Sequence, residues 1–349
     1  MPSVSVQAPA APAKAPVKKR IEYVDVMRGV CILLVDYFHS GVSLIGAQYV
    51  SHICVHPFFF MAGYFYNNKK SLRDSFKSKL RSLLVPYYVF ALFYYVVWAV
   101  AFYGSGRDII APLRAVLFMP TDSMPVESAI YFFPLMFGGM MTFILIEKLV
   151  KPEWLKLVLV LGLTYLGNVW RRFCDVRLPM AMDCSLSVLV YFYLGYNGRA
   201  ILARIDGVLE KIPRRWMRIA LFIAAAVLNY ICVRVDYIPN LRNGEWGIVL
   251  LTHLNTCMIM LLWVYFFRFT DEIRFLKPVN NMLKFIGKNS VIFMCFNHVG
   301  LKIGLAAATL LSIQNPFIFK TVYYLCSIFA VVPLVFLFNK TGLHKIFGK

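Results

Sequence analysis

Three side chains that can carry a charge lie within one apolar stretch near the start of the sequence. The stretch VMRGVCILLVDYFHSG, residues 26–41, contains Arg28, Asp36 and His39. Its remaining residues are typical of a transmembrane helix, and an ionised side chain in hydrocarbon costs from about 3 to more than 10 kcal/mol. An imidazole beside a carboxylate can act as a general base in acyl transfer, and it can equally move protons through a transporter. The segment therefore indicates a functional site of one of these two kinds.

Helical geometry places Arg28 and His39 on the same side of this segment. They are eleven residues apart, which corresponds to three turns plus about 20° and to about 16 Å along the axis. Asp25 and Asp36 repeat the interval on an adjacent stripe, so each acid precedes a basic side chain by one turn. Two simpler interpretations stay open: Asp25 and Arg28 could form an interfacial ion pair, and His39 could hydrogen-bond to a neighbouring helix.

The composition indicates a chain that crosses a membrane many times. Of its 349 residues 60% are hydrophobic and 15% are charged, whereas soluble domains are about half apolar and a quarter charged. The net charge of +20 does not indicate a nucleic-acid partner, because the basic residues lie between apolar runs rather than on a soluble domain. The eight cysteines have neither disulfide-framework nor zinc-site spacing and are expected to be small buried hydrophobes.

Runs of about 17–25 apolar residues predict ten membrane-spanning helices, at 24–46, 50–67, 83–103, 128–147, 154–170, 180–197, 217–235, 246–268, 289–313 and 318–338. If the N-terminus is cytosolic, the cytosolic segments carry 26 Lys and Arg residues and the opposite segments carry eight. Because cytosolic loops are enriched in basic residues, both termini are predicted to be cytosolic. Residues 1–19 are predicted to be a disordered cytosolic tail, and 20–349 a single all-α domain in the cell (inner) membrane.

Five segments resemble, in order, the motifs of the acyltransferase family 3 of integral membrane proteins. The first segment, in which ten residues separate Arg28 from His39, is similar to the opening helix of that family. The other four are VHPFFFMAGYFY (55–66) with the basic stretch KSKLRSLLVPYY (77–88) after it, AIYFFPLMF (129–137), LPMAMDCSLSVLVYFYLGY (178–196) and FIGKNSVIFMCFNHVG (285–300). The sequence most resembles the subgroup that contains fucose 4-O-acetyltransferases and related O-acetylases of bacterial surface sugars.

The resemblance implies an enzyme that transfers an acyl group, usually acetyl from acetyl-CoA, to a hydroxyl of a carbohydrate or similar acceptor. It implies functional roles for Arg28 and His39. A long donor could then lie along the first helix, with its phosphates near Arg28 and its thioester near His39. His39 would act as a general base, or would briefly carry the acetyl group itself. No metal and no permanently bound cofactor is expected.

The sequence departs from the family at two places. Asp36 occupies a position that is usually apolar in the family, so it either assists His39 or serves a role particular to this subgroup. An Arg-x-x-Arg spacing found in many members is absent, and Lys77, Lys79 and Arg81 would have to bind the donor phosphates instead.

Further residues are candidates for lining the acceptor site. Most lie at positions of the resembling motifs, and the stretch 104–127 is predicted to dip back into the membrane as a re-entrant segment that covers the site. The candidates are His56, Glu127, Tyr131, Asp183, Asn297 and His298.

Two other functions stay open. A proton-coupled transporter or flippase of a lipid-linked sugar could use Asp36 and His39, although the chain lacks the internal two-fold similarity of many transporters. A non-catalytic membrane module would bind a ligand and form no product. The predicted partners are the lipid bilayer, an acyl-CoA and a carbohydrate or glycolipid acceptor.

Overall fold

The computed structural model describes residues 21–42, 46–119, 121, 129–174 and 176–347. In these ranges the regular structure is helical, apart from one isolated antiparallel bridge between Asn240 and Glu245. The helices are α1 (Glu22–Ser40), α2 (Ala47–Ile53), α3 (His56–Tyr64), α4 (Leu72–Lys79), α5 (Val85–Ala101), α6 (Ile110–Phe118), α7 (Phe132–Leu149), α8 (Glu153–Phe173), α9 (Met182–Ser187), α10 (Leu189–Tyr196), α11 (Gly198–Glu210), α12 (Arg215–Val235), α13 (Val249–Glu272), α14 (Lys277–Lys288), α15 (Ser290–Cys295), α16 (Asn297–Leu310) and α17 (Pro316–Thr341).

Five helical stretches of the described chain are long and apolar enough to cross a membrane: Leu72–Ala101, Ala129–Leu149, Arg215–Val235, Val249–Glu272 and Pro316–Thr341. Each overlaps one of the predicted spans. Their outward faces carry exposed aliphatic side chains, such as Leu221, Ile223 and Val227 on α12, which suit contact with lipid tails rather than water. The prediction of an all-α membrane bundle is confirmed, whereas the number of crossings and the side of each terminus stay predictions.

Three of the predicted spans are interrupted in the middle. The span 50–67 is divided into α2 and α3, 180–197 into α9 and α10, and 289–313 into α15 and α16. Non-helical backbone at membrane depth is tolerated where protein surrounds it and satisfies its polar groups; at the second break the Thr164 hydroxyl accepts a hydrogen bond from the Val190 amide, 3.2 Å away. Each break places the start of a helix inside the bundle, where its free N–H groups can face a polar partner.

The first helix is shorter than its predicted span. It ends at Ser40 because Gly41 adopts a φ of 69°, in the left-handed region where helices commonly terminate on glycine. His39 therefore lies in the last turn of α1 rather than within a longer helix. Helix α1 packs against α13, α14 and α17, and it also contacts both members of the pairs α2–α3 and α15–α16.

Glycines allow α1 to approach its neighbour α14 very closely. A Cβ atom at Gly287 would overlap the backbone carbonyl of Asp25, and one at Gly29 would overlap that of Leu283. Membrane helices associate through such close backbone contacts, because lipid tails give apolar side chains no reason to leave them. This contact fixes the position of Lys288, which follows Gly287, relative to Arg28 on α1.

Replacing Gly287 by alanine should therefore destabilise the protein by about 1–3 kcal/mol, as expected for overpacking against rigid backbone. Thermal unfolding of the purified protein in detergent measures the effect. Gly207→Ala on α11 is the matched control, since no atom lies within 4 Å of a Cβ at that position. Equal unfolding temperatures for the two variants would contradict a tight contact between α1 and α14.

Candidate functional site

A cavity of about 350 Å³, here called the Arg28 cavity, is lined by α1, α3, α7, α14 and α15 and by the segment from Lys79 to Leu83. Its charged lining residues are Arg28, Lys79 and Lys288, and the hydroxyl-bearing residues Ser82 and Ser290 lie beside them. None of the described residues that line it is a carboxylate. Three cations with two hydroxyl groups form a suitable binding site for phosphate groups.

The Arg28 guanidinium is held at the wall of this cavity by a neighbour on α1 and by the residue that follows α3. Its Nη1 lies 3.6 Å from Oδ1 of Asp25, one turn earlier on α1, and its Cζ lies 5.7 Å from the ring centroid of Phe65. Asp25 is buried whereas the Arg28 side chain is 31% exposed. The predicted pair of Asp25 and Arg28 therefore forms, and it leaves Arg28 accessible to a ligand.

The structure separates the three basic residues predicted to bind the donor. Lys79 lines the Arg28 cavity, whereas Lys77 and Arg81 are exposed and lie outside its lining. Lys288, which sequence reasoning did not select, takes a place in the cavity. The signal for it was present, because Lys288 belongs to the motif FIGKNSVIFMCFNHVG that carried the resemblance.

A second cavity of about 390 Å³, the His39 cavity, lies at the other end of α1. Its polar lining comes from α1, the break between α2 and α3, the turn before α7 and the loop 236–247. Those polar residues are His39, Ser51, His56, Tyr131, Asn240, Arg242 and Asn243.

The two cavities adjoin along three elements of the bundle. Ile32 and Val35, one turn apart on α1, line the Arg28 and the His39 cavity respectively. Phe58 lines the Arg28 cavity, and Val55, three residues earlier, lines the His39 cavity. Likewise Phe132 lines the Arg28 cavity and the preceding Tyr131 lines the His39 cavity. The stripe predicted from the Arg28–His39 spacing thus connects a cationic cavity with one lined by imidazoles.

His39 meets a second imidazole at the start of α16. The ring centroids of His39 and His298 are 5.5 Å apart. The preceding residue, Asn297, donates a hydrogen bond from its Nδ2 to Oδ1 of the buried Asp36. Asp36 is thus bonded to Asn297, and its pairing with His39, which the sequence led us to expect, stays a prediction.

The bond between Asp36 and Asn297 has a clear electrostatic origin. The carboxylate is buried in an apolar bundle, so it needs hydrogen-bond donors and a positive potential. Asn297 is the first residue of α16, whose N-terminus carries the partial positive charge of the helix dipole. Asp36 therefore connects α1 to the break at Phe296 and holds His298 opposite His39.

His56 begins α3 inside the bundle and is almost completely buried. Its ring packs edge-on against Tyr191, with centroids 5.2 Å apart, and lies 5.9 Å from the ring of Trp246. Neither ring nitrogen has a hydrogen-bond partner among the described residues. Buried polar atoms are nearly always bonded, so the two ring nitrogens of His56 are candidates for hydrogen bonds to a ligand in the His39 cavity.

The remaining predicted acceptor residues differ in their positions. Tyr131 lies in the lining of the His39 cavity, and its contact with an acceptor stays a prediction. Asp183 is buried outside the lining of both cavities, and its Oδ2 lies 3.3 Å from Nε of Arg177. Glu127 and most of the end of the predicted re-entrant segment lie outside the described residues, while α6 within that segment packs back on α5 through the hydrogen bond from the Tyr87 hydroxyl to the Val116 carbonyl.

Comparison with known proteins identifies the family. The family model described as "Acyltransferase domain" matches residues 21–340, which include every described residue of both cavities. The chain belongs to acyltransferase family 3. No curated protein and no solved structure is significantly similar to it. The protein is accordingly a membrane acyltransferase, and its two cavities on α1 are the candidate substrate sites.

The activity and the thermal stability of the acyltransferase should depend on the hydrogen-bonded pair of Asp36 on α1 and Asn297 on α16. Asn297→Asp would place two buried carboxylates together and should reduce both acyl transfer, by more than tenfold, and thermal stability. The double variant Asp36→Asn/Asn297→Asp exchanges the two side chains and so restores one acid and one amide. It should recover most of the acyl-transfer rate and most of the thermal stability. The measurements are initial rates of acyl transfer and unfolding temperatures.

Asn281→Asp on the exposed side of α14 controls for the added negative charge and should change neither property. If the exchanged double variant is no better than Asn297→Asp alone, the two side chains do not act as a pair.

Proposed function

We propose that the protein transfers an acyl group, most simply acetyl, from an acyl-CoA to a hydroxyl of a cell-surface carbohydrate or related acceptor. The observation that carries the proposal is the arrangement along α1 of three cations around one cavity and imidazoles around the next. The donor would occupy the first cavity with its phosphates and extend its thioester to the second, where the acceptor hydroxyl waits.

The donor site follows from charge. The phosphates of acyl-CoA would bind to Arg28, Lys79 and Lys288, with hydrogen bonds from the nearby serine hydroxyls. The distance of about 16 Å between Arg28 and His39 along the helix suits a long, extended donor. It places the charged end of the molecule near water and the reacting end inside the bundle.

The chemistry follows from His39. Its imidazole would remove the proton of the acceptor hydroxyl while the acceptor oxygen attacks the thioester carbonyl. The tetrahedral intermediate then releases the CoA sulfur, and the proton passes from His39 to the thiolate. The products are an acyl ester and CoA with a free thiol. His298, beside His39, would orient the ring or stabilise its protonated form.

The predicted topology gives this reaction a direction across the membrane. With both termini cytosolic, α1 begins at the cytosolic side, so the Arg28 cavity would receive acyl-CoA from the cytosol and the His39 cavity would face the opposite side. Such an arrangement acylates an acceptor outside the cytosol while acyl-CoA stays within it.

Removal of the proposed base tests the catalytic role. His39→Ala should lower the rate of acetyl transfer by about 10²- to 10⁴-fold, the usual contribution of general base catalysis, with an unchanged unfolding temperature. The assay follows radiolabelled acetyl-CoA with protein in lipid nanodiscs and membrane extracts as the source of acceptor. His344→Ala, whose side chain lines neither cavity, is the control.

Full transfer by a folded His39→Ala variant would refute the role of His39. Proton-coupled movement of a lipid-linked sugar without turnover of acetyl-CoA would instead favour a transporter.

Neighbouring lysines on α4 test the donor site. Lys79→Gln should raise KM for acyl-CoA by about 10- to 100-fold, since a hydrogen bond to a charged group contributes about 1.5–3 kcal/mol. Lys77→Gln removes the same charge from the same helix, yet its side chain is exposed outside the cavity, so KM should hardly change. Equal KM values for the two variants would place the donor phosphates elsewhere.

A further inference from the structure

We infer that the purine of acyl-CoA stacks on the ring of Phe65, beyond the Arg28 cavity, and that this contact makes the enzyme prefer a donor with a nucleotide. This inference rests on the proposed function and adds to it the residue that recognises the nucleotide end of the donor. It stands on the course of α3 past both cavities, on the exposure of the Phe65 ring and on its contact with Arg28.

Helix α3 runs past both cavities and ends at Phe65. It begins at His56, which lines the His39 cavity, and its residues Phe58 and Ala62 line the Arg28 cavity. The Phe65 amide donates to the carbonyl of Met61, 3.1 Å away, so the helical register extends to Phe65. Phe58, Ala62 and Phe65 have the spacing i, i+4 and i+7, which places them on one face of a helix. The wall that α3 contributes to the Arg28 cavity therefore continues to Phe65.

The ring of Phe65 is accessible and is held in place by its neighbours. The residue is 43% exposed. The Arg28 Cζ lies 5.7 Å from its ring centroid, and the ring of Tyr64 packs edge-on against it, with centroids 5.3 Å apart. Tyr64 is itself in contact with a guanidinium, since the Arg199 Cζ lies 5.3 Å from its ring centroid. Phe65 is thus a supported aromatic surface beside the proposed phosphate site.

Positive charge surrounds this part of the cavity. Lys79 lines the cavity, and the charge of Lys70, in the loop that follows Phe65, acts on it. Lys70 itself is exposed. A phosphate bound between Arg28 and Lys79 would therefore have the groups attached to it next to Phe65.

The covalent structure of acyl-CoA places its purine where Phe65 lies. One ribose joins the diphosphate to the purine, on the side away from the pantetheine arm. With the diphosphate at Arg28 and the thioester at His39, the arm extends along α1 and the purine leaves the cavity at the opposite end. Purines stack on aromatic rings through their π-faces, and an adjacent guanidinium adds a cation–π contact.

Exposure by itself does not distinguish Phe65 from other phenylalanines. Phe76 on α4 has the same exposed fraction, 43%, but it lies outside the lining of the Arg28 cavity and packs against Phe137 on α7, with ring centroids 5.8 Å apart. Phe65 differs from it by the contact with Arg28 and by the helix face that it shares with the cavity wall. Phe76 is therefore the matched control.

The test compares two donors that differ at the nucleotide end. Acetyl-CoA and acetyl 4′-phosphopantetheine carry the same thioester and the same arm, but the second lacks the nucleotide. In nanodiscs, Phe65→Ala should lower kcat/KM for acetyl-CoA by about 5- to 150-fold through KM, the loss expected for one base–aromatic stack, and should leave kcat/KM for the shorter donor nearly unchanged. Phe65→Trp keeps a stacking surface and should retain both rates, and Phe76→Ala should change neither.

Binding of the nucleotide alone gives a readout that needs no turnover. Adenosine 3′,5′-bisphosphate is the nucleotide end of CoA without the arm. It should quench the fluorescence of the indole introduced by Phe65→Trp, relative to the same titration of the unchanged protein, because a stacked purine lies in direct contact with the indole. The arm alone, 4′-phosphopantetheine, should not quench it.

The outcomes separate this inference from the proposed function. Equal losses with both donors in Phe65→Ala, or no quenching by the bisphosphate in Phe65→Trp, would overturn the inference and leave the acyltransferase activity established. An absence of transfer by the unchanged protein would instead overturn the proposed function, and the quenching would then decide alone whether a nucleotide binds at Phe65.

Discussion

The architecture around the candidate site depends on a carboxylate that cannot be left unpaired. Asp36 is buried among apolar helices, where an isolated charge would cost several kcal/mol, and Asn297 donates a hydrogen bond to it. The donor Asn297 is the first residue of α16, so the start of that helix faces the carboxylate. The same helix start brings His298 to His39, so the electrostatic need of one residue positions the neighbours of the proposed base.

The two cavities share this dependence on α1. At one end α1 meets α14 through Gly29 and Gly287, which brings Lys288 beside Arg28 and makes that cavity cationic. At the other end Gly41 terminates the helix, so that His39 opens into the second cavity. A helix with a cluster of cations at one end and imidazoles at the other suits a long donor, whose phosphates need cations and whose thioester reacts beside a base. The family assignment and the geometry of α1 therefore support the same reaction.

The helical bundle and the Arg28–His39 stripe could be predicted from the sequence. The helix breaks and the long-range contacts could not, for physical reasons. The Arg28–His39 stripe depends on helix periodicity within a short segment, and the structure places the two residues in adjoining cavities as that periodicity requires. The breaks at 54–55, 188 and 296 were not predicted, because apolar runs look continuous even where the backbone is not helical. Arg242 and the Asp36–Asn297 bond escaped because they depend on contacts between residues about 200 or more positions apart, which periodicity cannot reveal.

The central claim is that one donor molecule extends along α1 from the Arg28 cavity to His39. A structure determined by cryo-electron microscopy with a CoA analogue, in which a ketone replaces the thioester, tests it most directly. The account predicts phosphate groups in contact with Arg28 and Lys79, and the ketone within hydrogen-bonding reach of the His39 and His298 pair. An analogue bound outside the Arg28 cavity, or one whose ketone ends away from the His39 cavity, would contradict it.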